Sequence, residues 1–231
     1  MSELLVVGIE TTGAAGSVAL RRGNTPLGET ALGEGTLHGA SLHPALAGLL
    51  TAAGFAPADL GLVVVGTGPG SFTGMRVGVG AARTLAFALG IPVIGVASFD
   101  ALAADAPREA PSAAVVRDAR REHVYFALYG PAGRDGVREV TVPPARILAI
   151  EAAGHLAAGT VVLGEHAALL ASLAPGGTPG ARPDLPVSAD RLARLGLARF
   201  LAGGAPDPAG VLPLYLQEPS AQPSRRDPAR G

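Results

Sequence analysis

Residues 66–83 read GTGPGSFTGMRVGVGAAR and follow directly on the apolar run 62–65. A buried strand that ends in glycine and passes into a helical pattern announces a strand-loop-helix unit. The helical pattern covers 72–89, Gly90 stops it, and a second apolar run, 92–96, begins just after the stop. Strand, helix and strand in that order predict a right-handed parallel crossover, and hence an α/β protein.

Glycine this dense presses backbone against either a phosphate or another helix. The phosphate motifs fail on residue identity. A P-loop needs GxxxxGK[ST], and the chain has no Lys. GxGxxG started at Gly66 ends on Ser71, and started at Gly68 it ends on Thr73. GxSxG around Ser71 needs glycine where Pro69 and Thr73 stand. Ser71 or Thr73 is therefore read as the helix N-cap, and the loop N-H groups remain only a weak anion site.

Along the helix, Gly74, Gly78 and Ala82 form a stripe of small side chains that admits close approach of another backbone. Met75, Val79, Ala82, Ala86 and Leu89 make one apolar face, and Val77, Ala81, Leu85 and Ala88 a second. Only Arg76, Gly80 and Arg83 form a polar stripe. A helix apolar nearly all round is covered on more than one side, either by the chain's own helices or by another protein.

Around this unit, 4–9 and 17–21 read as a hairpin closed by TTGAAG. Apolar residues at helical spacing, Leu42, Leu46, Leu49 and Ala53, predict a helix over 37–53 with Pro44 near its first turn and Gly54 as C-cap. A short helix follows at 98–104. The Pro- and charge-rich segment 104–112 divides a first lobe, 1–104, from a second, 105–216. The second half holds strands at 113–117, 124–129, 137–142 and 160–164, a helix at 145–157 and a last helix at 189–202. Residues 217–231 have the composition of a disordered tail.

Composition excludes several classes. A net charge of -1 does not supply the clustered cation that gripping nucleic acid unaided requires. All eighteen basic residues are Arg, and there is no Cys, so thiolate metal sites, disulfides and a Cys nucleophile are ruled out. No run reaches the roughly twenty apolar residues of a membrane span, and the opening MSELLVVGIE is a strand without a basic leader, so a cytoplasmic protein is expected. His38 and His43, five apart on a helix, diverge too far to share a metal. No catalytic, cofactor or metal residue is predicted. Asp118 and Arg120 form the one dense charged cluster beside a strand, pairing across a turn or facing a partner.

These residues resemble those of the TsaB (YeaZ) family. The segment 66–103 is similar to the family signature, as are GIETT (8–12), DARREHVYFALY (118–129) and LPLYLQ (212–217), in order along nearly the whole chain. The resemblance implies a two-lobed actin-like, ribonuclease-H-like fold. It implies a non-catalytic subunit of tRNA threonylcarbamoyladenosine synthesis that binds a TsaD-like catalytic subunit, acts with a TsaE-like ATPase, meets tRNA indirectly and also pairs with itself. The implied interface uses Leu42, Leu46, Leu49, Leu50, Gly74, Arg76, Val77, Gly78, Ala81 and Arg83, with Glu10, Asp118 and Arg120 as polar contacts. The H-x-x-x-H metal pair of the catalytic relative has no counterpart here. Three positions depart from the family: Glu10 stands for its usual Asp, His38-Gly39-Ala40 for His-Ser-Glu, and Gln217 for its terminal Arg. The alternative is an independent enzyme, an actin-like nucleotide hydrolase or a glycoprotease-like peptidase. Actin-like ATPases begin their phosphate site much as Glu10-Thr11-Thr12 does, but the following GAAGS offers no cation.

Overall fold

Strands β1 (Leu5–Glu10) and β4 (Leu60–Gly66) are nearly unbroken runs of Val, Leu, Ile and Gly, the pattern of strands covered on both faces. The computed structural model describes residues 4–33, 38–133, 137–174, 180–182, 185–203 and 208–216, and in it both strands are buried almost throughout. With β2 (Ser17–Arg22), β3 (Thr25–Ala31) and β5 (Val93–Val96) they form a five-stranded sheet in the order β3-β2-β1-β4-β5. The first three strands are antiparallel neighbours, while β4 and β5 run parallel to β1.

The second half repeats this plan. β6 (Ser112–Asp118), β7 (His123–Ala132), β8 (Arg138–Leu148), β9 (Thr160–Leu163) and β10 (Gly180–Arg182) stand in the order β10-β9-β6-β7-β8. Here too the first three are antiparallel and the last two parallel to the first. Two sheets of the same topology make the two-lobed actin-like fold that the resemblance implies.

Helices fill the layers between and outside the sheets. On the outer face of the first sheet lie α1 (His38–Ala53) and α2 (Phe72–Leu89), whose Leu42, Leu46, Leu50, Val79, Ala82 and Ala86 pack on Val7, Ile9, Val63 and Val65. Its other face meets α3 (Ser98–Ala103) and α6 (Ala189–Leu201) in a core that continues into Ala113, Val115 and Tyr129 of the second sheet. On the far side of that sheet, α4 (Ala149–Gly154) and α5 (Ala167–Leu173) cover Ala114, Val116 and Phe126. Tyr129 donates to Asp100, which also accepts from Arg199, tying β7, α3 and α6 together. Burial, reinforced by the Asp100 charge, holds the Tyr129 hydroxyl far above its usual range, so it remains a donor.

Several expectations change. α6, given to the second lobe by its place in the sequence, packs on the inner face of the first sheet, and the segment after it reaches the same sheet: Val211 is buried in the outer core with α1 and α2, and Leu214 N-H donates to Thr67 O. β3 and α5 were hidden, the first because its residues are exposed and unpatterned at the sheet edge. β8 runs on through Leu148, shortening the expected helix 145–157 to α4. Pro44 sits inside α1, well past the first turn, on its exposed side. The expected tail 217–231 lies outside the described residues.

The glycine stripe of α2 has a definite neighbour, and it is not another helix. A Cβ on Gly74 would collide with the carbonyl oxygen of Thr11, and one on Gly78 with the Thr11 hydroxyl, 3.5 Å from Val65. The helix is seated on the end of β1, where Thr11 Oγ1 donates to Gly74 O at 2.7 Å. Nothing stands within 4 Å of a Cβ at Gly80. Gly74→Ala is therefore expected to destabilise the fold by about 2 kcal/mol, while Gly80→Ala stabilises it by about 1 kcal/mol through helix propensity. Urea unfolding of the two variants checks this; stabilisation by both contradicts the seating of α2 on Thr11.

Candidate functional site

The end of β1, the loop before α2 and the end of β6 converge on a cleft of about 690 Å³ between the lobes. Thr12, Gly13, Ala14 and Pro69 to Thr73 line it from the first lobe; Arg117 to Arg120, Tyr125 and Glu165 line it from the second. Leu214 to Leu216 border it on one side. Serine at position 71 caps α2, accepting from Gly74 N at 3.2 Å, as the sequence suggests.

At the floor lies a buried chain of hydrogen bonds that the sequence did not disclose. Glu10, fully buried, accepts from Thr12 N-H at 2.5 Å through one carboxylate oxygen and from the Ser98 hydroxyl at 2.7 Å through the other. Ser98 accepts from the Thr12 hydroxyl at 3.0 Å, and Thr12 Oγ1 accepts from Arg117 Nη1 at 2.9 Å. The same nitrogen donates to Pro69 O at 3.1 Å. Every hydroxyl in the chain donates one way and accepts the other, so the Glu10 anion of the first lobe and the Arg117 cation of the second are joined through two neutral groups. Arg117, 6% exposed, thus supplies from the other lobe the cation missing from the GAAGS turn. A Cβ on Gly13 would stand 3.2 Å from its Nη2.

The sequence signals were faint. Arg117 ends the buried run 113–116, where a charged residue interrupts an apolar strand; Ser98 opens α3 directly after β5. Glu10, expected as a polar contact to a partner, is spent inside the chain. Asp118 does not pair with the Arg120 guanidinium: its Oδ1 accepts the Arg120 backbone N-H at 2.8 Å, and His166 Nε2 lies 3.7 Å away. Arg120, Arg121 and Glu122 all have left-handed backbone, with φ of 61, 53 and 62°, which turns β6 sharply into β7.

The expected interface residues divide. Leu42, Leu46, Leu50, Gly74 and Gly78 are buried in the first lobe's own core or against its backbone and do not reach the surface. Leu49, Val77 and Ala81 are half-buried. Arg76 and Arg83 are exposed, but Arg76 Nε donates to the Tyr215 hydroxyl at 3.0 Å and its guanidinium lies 4.1 Å over the Phe72 ring. Besides the two arginines, the helices expose mostly small residues, among them Gly39, Ala40, Ala47, Gly48, Gly80 and Thr84, with His43 and above all Phe87, 91% exposed. Phe87 continues the stripe of Arg76, Gly80 and Arg83 at helical spacing, so the wheel turns it outward against its apolar character.

Among the described residues no three His, Cys, Asp or Glu gather as a metal site, and no helix is long and apolar enough to cross a membrane.

Breaking the buried chain isolates a charge. Arg117→Met is expected to cost about 3 kcal/mol, since Glu10 is left without its distant counterion. In a double-mutant cycle with Glu10→Gln, measured by urea unfolding, the coupling should exceed about 1 kcal/mol; additivity within about 0.5 kcal/mol contradicts the linkage.

The comparisons agree on one lineage. The family described as "TsaD: tRNA N6-adenosine threonylcarbamoyltransferase" matches residues 35–171. An uncharacterised protein of Mycobacterium tuberculosis (strain ATCC 25618 / H37Rv) is 35% identical over 223 residues, 96% of this chain and 95% of that one. The tRNA threonylcarbamoyladenosine biosynthesis protein TsaB of Bacillus subtilis (strain 168) is 35% identical over 145 residues, 63% of this chain and 62% of its own. A crystal structure from Pseudomonas aeruginosa, described as an uncharacterised protein with similarity to peptidase YeaZ, superposes with a TM-score of 0.80 at 30% identity, covering 93% of this chain and all of that one.

Proposed function

From a chain that belongs to the TsaB (YeaZ) family, we propose a non-catalytic subunit of tRNA threonylcarbamoyladenosine synthesis that docks a TsaD-like catalytic subunit on the outer faces of α1 and α2. A TsaE-like ATPase completes the assembly, and tRNA is met through the complex.

One observation carries the docking assignment: the outer helical layer is nearly uncharged. In α1 and α2 the only charged side chains are Arg76 and Arg83, and Arg76 is already held by Tyr215 and Phe72. About a quarter of residues are charged in an ordinary globular domain. Apart from the two arginines, His43 and Pro44, the exposed positions are Gly, Ala and Thr, with one presented aromatic ring at Phe87. Small outer residues admit a second pair of helices at close range, and an exposed phenylalanine among them is the kind of anchor that dominates binding energy. Both helices rest on the same face of the first sheet, so their outer faces form one continuous surface.

The cleft supports the non-catalytic reading. The acid of the first strand, which would serve a metal-nucleotide, has both oxygens occupied by Thr12 N-H and Ser98 Oγ. Arg117 bridges the mouth of the GAAGS turn and the Pro69 carbonyl, and so ties together elements that a hydrolase must move apart.

Phe87→Asp tests the surface. Loss of a central aromatic anchor is expected to weaken binding of the TsaD-like subunit from the same genome by about 2 kcal/mol or more, roughly thirtyfold in Kd. Thermal unfolding of the isolated chain should stay unchanged, because the ring touches solvent. Undiminished complex formation on analytical size exclusion overturns the assignment, and ATP or peptide hydrolysis by the purified chain alone overturns the non-catalytic role.

A further inference from the structure

Two sources of positive potential meet on the floor of the interlobe cleft without a carboxylate between them. One is Arg117, more than nine-tenths buried and in no ion pair among the described residues. Its bonds are to a hydroxyl and a carbonyl through Nη1 alone, and its Nη2 lies against Gly13 of the cleft lining, 3.2 Å from where a Cβ on that residue would stand. The other is the N-terminus of α2, an 18-residue helix. Ser71 satisfies only the Gly74 N-H there, and the Phe72 and Thr73 N-H groups, both on the cleft lining, have no acceptor among the described residues. A Cβ at Gly70 would stand 2.7 Å from Arg117 Nη1, so the guanidinium abuts the positive end of the helix. A cation at a helix N-terminus is unfavourable unless an anion joins them.

A third donor or acceptor is unspent nearby. His38 is 3% exposed, lines the same cleft, and its Nε2 has no hydrogen-bond partner among the described residues. It flanks the turn between β1 and β2 at Gly16, as Arg117 flanks it at Gly13. A buried polar atom without a partner in a native fold marks a missing ligand or water.

We infer that this floor is a metal-independent site for an oxyanion, the phosphate or carboxylate of a small molecule, received by Arg117 and the first N-H groups of α2 with His38 alongside. Metal independence follows from the residues: both Glu10 oxygens are committed to Thr12 and Ser98 beneath the cleft, and the acids of the lining, Asp118 and Glu165, stand on the second-lobe wall. Those two acids orient the ligand with its charged end toward the floor. The rest of the lining, Phe72, Met75, Tyr125, Leu214 and Tyr215, accepts an apolar or planar body. The site lies at the N-terminal ends of α1 and α2, whereas the docking surface runs along their outer faces.

Isothermal titration of the purified chain in EDTA with inorganic phosphate, AMP and citrate tests it, since these present the same chemistry bare, on a planar body and as carboxylate. The expected result is saturable binding of at least one of them. Binding should fall at least tenfold in Arg117→Gln, with folding verified by its melting curve. Phe72→Pro is a second, conformationally mild variant, because Ser71 already has the extended backbone (φ -57°, ψ 123°) that a following proline requires. It removes one helix N-H, together with the ring that packs on Arg76 and Tyr215 away from the N-H groups' ligand, and should weaken binding of bare phosphate severalfold. No saturable binding of any probe, binding that neither variant alters, or binding that appears only with Mg²⁺ overturns the inference.

Discussion

The two lobes are held in register by one buried charge relationship: Glu10 at the end of β1 and Arg117 at the end of β6, joined through the hydroxyls of Ser98 and Thr12. Neither charge is in contact with the other; Glu10 is fully buried and Arg117 is 6% exposed at the cleft. A direct ion pair tolerates some sliding, whereas a chain of directed hydroxyls requires each donor to meet one acceptor, which makes the arrangement high-stakes and specific. Four elements are fixed by it: β1, the start of α3, the loop before α2 and β6. The cleft is therefore a rigid feature of the fold, and α1 and α2 are presented at a fixed angle to the second lobe.

Rigidity of this kind suits a scaffold. The layers run from α1 and α2 through the first sheet, the shared α3 and α6 core and the second sheet to α4 and α5, with apolar packing continuous between the lobes. α6 and the segment 211–216 return from the second half to the first sheet, so the later part of the described chain clasps the first lobe. The chain joins its lobes by a core, a clasp and a polar chain, and turns a nearly uncharged helical layer to the outside.

Much of the fold was legible in the sequence because its central unit is local. The strand, glycine loop, helix and strand over 60–96 each carry their own signal, and the observed bounds of α2 coincide with the periodic pattern. Edge elements such as β3 and β10 were not legible, since exposed strands have no apolar alternation to read. The site was legible only in part for a different reason. Small side chains at 74 and 78 show that something approaches closely, but nothing local says whether it is the chain's own Thr11 or another protein. Arg117 lies 105 residues from the Thr12 it binds, a pairing that only the tertiary fold creates. Glu10 and Thr12 carried the motif; the cation that completes it comes from β6, which holds in the second sheet the place of β1 in the first.

The central claim is that a fixed, lobe-locked chain works through the outer surface of α1 and α2. Amide hydrogen exchange of the chain, free and bound to the TsaD-like subunit of the same genome, addresses it most directly. The account predicts added protection concentrated in 38–53 and 72–89, with exchange in β7 and β8 unchanged. Protection that appears at the cleft margin or over the second sheet, leaving the two helices as they are in the free chain, contradicts it.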